Sequence, residues 1–94
     1  MMDWKPYDPA WLADWVRANV PDEPWLADAL ARCTRAMEGG RAYLYFVDPA
    51  DANQPGAEWQ IEDSRTLHHP KEGTLVLDIL TGRRVGGIEF LARL

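Results

Sequence analysis

The stretch from Thr74 to Leu94, TLVLDILTGRRVGGIEFLARL, decides the fold. Two apolar, β-rich runs, Thr74–Leu80 and Val85–Leu91, flank a short polar turn that contains Gly82. That arrangement is a hairpin signal. Two carboxylates, Asp78 and Glu89, lie inside the strands, and a glycine pair, Gly86-Gly87, interrupts the second one. A purely structural strand needs none of these. The glycines follow no phosphate-loop pattern and open no helix. They predict a β-bulge, or an aromatic ring packed over bare backbone, with Trp59 as the candidate ring.

Upstream, His68-His69-Pro70-Lys71-Glu72-Gly73 reads as a turn, and Glu58–Glu62 as a half-buried strand with Trp59 and Ile61 on one face. Asp48–Ala57 (DPADANQPGA) is a loop by composition, long for a hairpin connection and so a candidate contact element. Arg41–Val47 (RAYLYFV) is strongly β-prone. Before it the period is helical. Asp8-Pro9 starts a helix that runs to about Asn19, and Pro21 stops it. Asp22 or Glu23 then caps a second helix opened by Pro24. Its stripe of Leu26, Ala29, Leu30, Cys33 and Met37 ends at Gly39-Gly40. Residues 1–7 read as an extended lead-in.

The order, helices and then strands, predicts a single small α+β domain over residues 1–94. Two N-terminal helices pack on one face of a four-stranded antiparallel meander. Leu44, Phe46, Trp59, Ile61, Leu75, Leu77, Ile79, Ile88 and Phe90 point to the helices. Tyr43, Tyr45, Gln60, Glu62, Val76, Asp78, Leu80, Glu89 and Leu91 occupy the reverse, which nothing remaining in the chain covers. A mixed face of that kind is a contact surface.

Composition narrows the function. In 94 residues, 47% are hydrophobic and five are tryptophan. Such rings cement a small core that lacks disulfides. The net charge of −5 carries no basic stripe, which excludes nucleic acid and favours a basic protein partner. The lone Cys33 has no disulfide mate within the chain, and it falls on an apolar helix face, buried and inert. No signal-peptide pattern and no run near the ~18 apolar residues of a membrane span occur, so no membrane contact and a cytoplasmic location are expected.

The candidate binding residues are Tyr43, Tyr45, Asp78, Glu89, Arg83 and Arg84. Asp78 and Glu89 share a patch with Arg83, Arg84 or Arg65, where they form ion pairs or touch a partner; paired carboxylates also do acid–base work when burial separates them. His68 and His69 are the only histidines. As strand neighbours they point to opposite faces, which argues against a shared metal. No cofactor, metal or catalytic residue is assigned.

Asp78 followed by Gly87-Ile88-Glu89, within Thr74–Leu91, resembles the closing hairpin of a family of small bacterial domains, domain of unknown function 2283. Three departures stand out. Tyr7-Asp8-Pro9 leads into a helix where the family has a strand, and Leu80 occupies a position that is often acidic. Gly82 also comes one position early. The resemblance implies a small sheet domain, working in toxin–antitoxin or similar protein pairs, and supplies no catalytic residues. The combined expectation is a non-enzymatic interaction module, immunity- or antitoxin-like, or a self-associating homodimer. The alternative is a small ligand-binding domain or enzyme using His68 or His69 with Asp78 and Glu89.

Overall fold

Strand β5 (Gly73–Leu80) lies between β4 (Ile61–His69) and β6 (Arg84–Phe90), antiparallel to both. The computed structural model that shows this describes residues 3–94; the first two residues of the expected lead-in lie outside that range. The other elements are β1 (Lys5–Pro6), α1 (Ala10–Asn19), α2 (Pro24–Ala31), β2 (Arg35–Glu38), β3 (Tyr43–Tyr45) and a closing turn of 3-10 helix at Leu91–Arg93. The molecule is α+β, with one six-stranded antiparallel sheet in the order β1-β2-β3-β6-β5-β4. Among the described residues no helix is long and apolar enough to cross a membrane.

One buried cluster joins the helices to the strands. Leu12, Ala13 and Val16 of α1 and Leu26, Ala27, Ala29 and Leu30 of α2 meet Leu67, Leu75, Leu77, Ile79, Val85, Ile88 and Phe90 of the sheet. Trp15 and Trp25 pack on its margin. Each fully buried aliphatic side chain contributes about 1.5–3 kcal/mol of transfer free energy, so this cluster is the main favourable term. His69 turns toward it, its ring 5.4 Å from that of Trp11 and 5.1 Å from that of Trp15. His69 Nδ1 also accepts the backbone N–H groups of Lys71 and Glu72, which tightens the β4–β5 turn.

The sheet has six strands where four were expected, because residues 5–6 and 35–38 add two short strands beside β3, and it differs from the expected meander in three further places. First, β3 pairs with β6 rather than with β4. Residues 46–60 are too long for a hairpin and instead carry the chain past β6 and β5 to the far edge. Read from the C-terminus, these four strands have the Greek-key order. Second, α2 ends at Ala31, six residues before Met37. Its stripe is real as far as Cys33, which is buried. Arg32-Cys33-Thr34 then turn, and residues 35–38 pair with β1 on one side and β3 on the other. Sheet pairing overrides the weak helix preference of Cys and Thr here, and Gly39-Gly40 serve the β2–β3 turn. Third, Ile61 is 45% exposed, and Trp59 packs away from the helical cluster.

The helix starts are nearly as expected. Asp8 Oδ1 accepts the Ala10 N–H at 3.0 Å, with Pro9 itself at the cap. Glu23 occupies the cap of α2 and Pro24 its first turn, but the Glu23 carboxylate pairs with Arg65 at 3.1 Å instead of capping. The bulge at Gly86 is present: the β5–β6 register shifts between Asp78 and Ile79, opposite Gly87 and Val85. The freed Gly86 carbonyl accepts the N–H groups of Phe46 and Val47.

Burial pushes the Cys33 thiol up to about 12, far from a reactive thiolate. A disulfide reagent at neutral pH is therefore expected to leave native Cys33 largely unmodified and to react fully only in denaturant. Rapid modification of the folded protein would contradict this burial.

Candidate functional site

Strand alternation places two rows of side chains on the sheet face opposite Leu75, Leu77 and Ile88. Register links Ser64, Asp78, Gly87 and Tyr45 in one row, and Thr66, Val76, Glu89 and Tyr43 in the next. Four of the six expected binding residues, Tyr43, Tyr45, Asp78 and Glu89, thus come together in neighbouring rows.

Gly87 organises them. With no side chain between Asp78 and Tyr45, the Tyr43 ring leans across the bare backbone and its hydroxyl donates to the Asp78 carboxylate. A Cβ on Gly87 would lie 2.6 Å from the Leu44 carbonyl oxygen and 2.7 Å from the Tyr43 ring. Gly86 serves a second ring. A Cβ there would lie 2.9 Å from both the Trp59 indole and Leu80, so Trp59 covers this backbone, as expected from sequence. Tyr43, Tyr45 and Trp59 form a run, with ring centroids 4.5 Å and 5.9 Å apart. Tilted and edge-on contacts of this kind add about 0.5–1.5 kcal/mol each beyond burial.

The cations go elsewhere. Arg83 lies over the Trp25 ring at 5.4 Å. Its backbone takes a positive φ of 55° in the β5–β6 turn, and its side chain reaches α2. Arg84 donates to the carbonyls of Thr81 and Glu58 at 2.9 and 2.8 Å, tying the long loop to the turn. Arg65 holds Glu23 and Asp63, which lowers the Asp63 carboxyl. The expected patch of two carboxylates with an arginine is therefore not formed. Among the described residues, no ion pair involves Asp78 or Glu89.

Burial, with the nearby Glu89 carboxylate, raises the Asp78 carboxyl above its ordinary range. Neither histidine joins the pair. His69 faces the helices, and His68, whose Nδ1 lies 3.3 Å from the Thr74 hydroxyl, pairs with Thr74, four residues from Asp78 along β5. At the rise of a strand that separation is about 13 Å, beyond hydrogen-bond reach. Among the described residues, no three His, Cys, Asp or Glu side chains gather in a metal-binding group.

A groove on the other side of the sheet was not expected from the sequence. It encloses about 720 Å³ beside α1, lined by Tyr7, Trp11, Leu44 and Glu38 and by Arg93 over the buried Phe90 ring. Its residues come mainly from β1, α1, β2, β3 and β6, which no local pattern connects. The only sequence signal was the aromatic density of the first eleven positions.

A scan against protein-family models finds no match, and searches of curated proteins and of solved structures return none.

Two outcomes follow from the geometry. Gly87→Ala is expected to cost about 1–3 kcal/mol by overpacking and to release the Tyr43 hydroxyl; urea unfolding reads the cost, and a loss under ~0.5 kcal/mol would contradict the close approach. The folded state holds the Asp78 proton more tightly than the unfolded chain does. Acidification therefore adds stability as pH falls through the raised folded value, fully so below the unfolded value, and the contribution is lost as pH rises above the folded value. Relative to Asp78→Asn, the wild type should gain stability as pH falls through the raised folded value of Asp78. Parallel stability–pH curves for the two proteins would contradict the shift.

Proposed function

We propose that this chain is a small non-enzymatic protein-interaction module whose contact surface is the sheet face turned away from both helices. The observation that carries this reading is the meeting of Tyr43 and Tyr45 with two carboxylates that have no cationic partner among the described residues. Tyrosines supply contact area at small entropic cost and are enriched at binding hot spots. Unmatched carboxylates beside them favour a partner that brings arginine or lysine. The overall charge of −5 steers such a partner in the same sense.

The partner chemistry is therefore a basic protein surface, and the role is that of an immunity- or antitoxin-like inhibitor acting in the cytoplasm. The likeness of the final hairpin to a family linked with protein pairs points the same way. The loop at 48–57 stands beside the face, held by Asn53, whose N–H donates to the Trp59 carbonyl and whose side chain accepts from Ile61. A held loop of this kind suits a second contact element, because little ordering cost remains on binding. Homodimerisation through the same face is the other use of the surface, although two copies would bring four carboxylates together.

Co-purification with wild type, Glu89→Lys and Val76→Arg, at low and high salt, tests the proposal. The expected result is a basic partner held by the wild type at low salt and lost with either variant and with added salt, while thermal midpoints stay within a few degrees. A partner retained equally by all three proteins would overturn the assignment of the face. A wild type that is dimeric by sedimentation, with the variants monomeric, would replace the hetero-partner with a second copy.

A further inference from the structure

The groove beside α1 lies on the helix side of the sheet, away from the proposed contact face, and its charges are unevenly matched. Of its two cations, Lys5 is paired with Asp3 at 3.6 Å and Arg93 with Glu72 at 2.9 Å. The remaining ionised group is Glu38, which has no ion-pair partner among the described residues. Glu38 is opposite Leu44 in the β2–β3 ladder, so its carboxylate stands at the edge of an apolar floor. The unbalanced charge of the cavity is therefore a single negative one.

The aromatic rings reinforce that sign. Phe90 already carries a cation on its face: the Arg93 guanidinium lies 3.8 Å from its ring centroid. On the facing wall, the Trp11 indole N–H donates to the Tyr7 hydroxyl at 2.9 Å. This bond fixes two electron-rich rings side by side, and Trp11 is 37% exposed, so part of its surface is open to a visitor. A ring face attracts an ammonium or guanidinium group, and more strongly where water is partly excluded. The volume, about 720 Å³, falls within the range of small-molecule sites.

We propose that this groove binds a small organic cation, a primary amine or guanidine carrying an aromatic or branched apolar body. The apolar body rests on Leu44 beside the Tyr7–Trp11 wall and against the Arg93 side chain that covers the buried Phe90 ring, and the cationic head reaches Glu38. The site is independent of the proposed partner face, so either can fail alone.

2-Phenylethylamine is the probe, with 2-phenylethanol and 3-phenylpropionate as neutral and anionic counterparts of similar shape. Each is titrated into the full chain while the indole N–H resonances are followed by NMR. Trp59, on the opposite side of the sheet, is the internal control. The expected result is a saturable shift of Trp11 with the amine, Trp59 unmoved, and binding weaker by about threefold to fivefold with the alcohol and in the Glu38→Gln variant. The Glu38 side chain is exposed, so that variant should fold. Equal binding of the propionate, a response at Trp59 instead of Trp11, indifference to Glu38→Gln, or no saturable response would each overturn the proposal.

Discussion

The absence of two side chains, at Gly86 and Gly87, is the constraint on which the outer face of this molecule depends. A strand in the middle of a sheet normally presents a side chain at every second position on each face. Here β6 offers bare backbone at successive positions, and three aromatic rings use the space. Trp59 covers Gly86, Tyr43 crosses Gly87 to reach Asp78, and Tyr45 packs between them. The bulge has a second effect. It turns the Gly86 carbonyl toward Phe46 and Val47, which anchors the start of the long crossover and so helps to place β3 against β6.

The two sides of the sheet are stabilised differently. The helix side is a conventional aliphatic cluster, in which burial of Leu75, Leu77, Ile88 and Phe90 against both helices supplies the driving force. The other side is an aromatic surface cluster with a half-buried carboxylate. Asp78 is tolerated there because Tyr43 donates to it and because its position leaves it partly hydrated. Holding a carboxylate beside another carboxylate costs stability, which a purely structural face would avoid. That cost is the physical ground of the proposal that the face is a contact surface.

Much of this was legible along the chain. The final hairpin, the bulge, the ring over the bulge, the two helix starts and the separation of His68 from His69 all follow from local rules: period-two alternation and the placement of proline and glycine. The rest was not. Met37 continued the helical spacing of Leu26, Ala29, Leu30 and Cys33, yet belongs to a strand, because residues 35–38 find hydrogen-bonding partners on both sides. Arg83 and Arg84 are adjacent to the carboxylates in the hairpin sequence but diverge in space, one to an indole on α2 and the other to the carbonyl groups of Thr81 and Glu58. The groove was invisible because Tyr7, Trp11, Leu44 and Phe90 are brought together only by the sheet order.

By itself, then, the amino-acid order determined the class of the fold, the position and irregularity of its last hairpin, and the identity of the residues on each side of β5. These depend on interactions within a few residues of one another. Which strand lies beside β6, where each arginine goes, and that a cavity opens beside α1 were decided only by tertiary structure. They depend on contacts between distant segments, whose free energies compete globally and leave no mark in any short window of the chain.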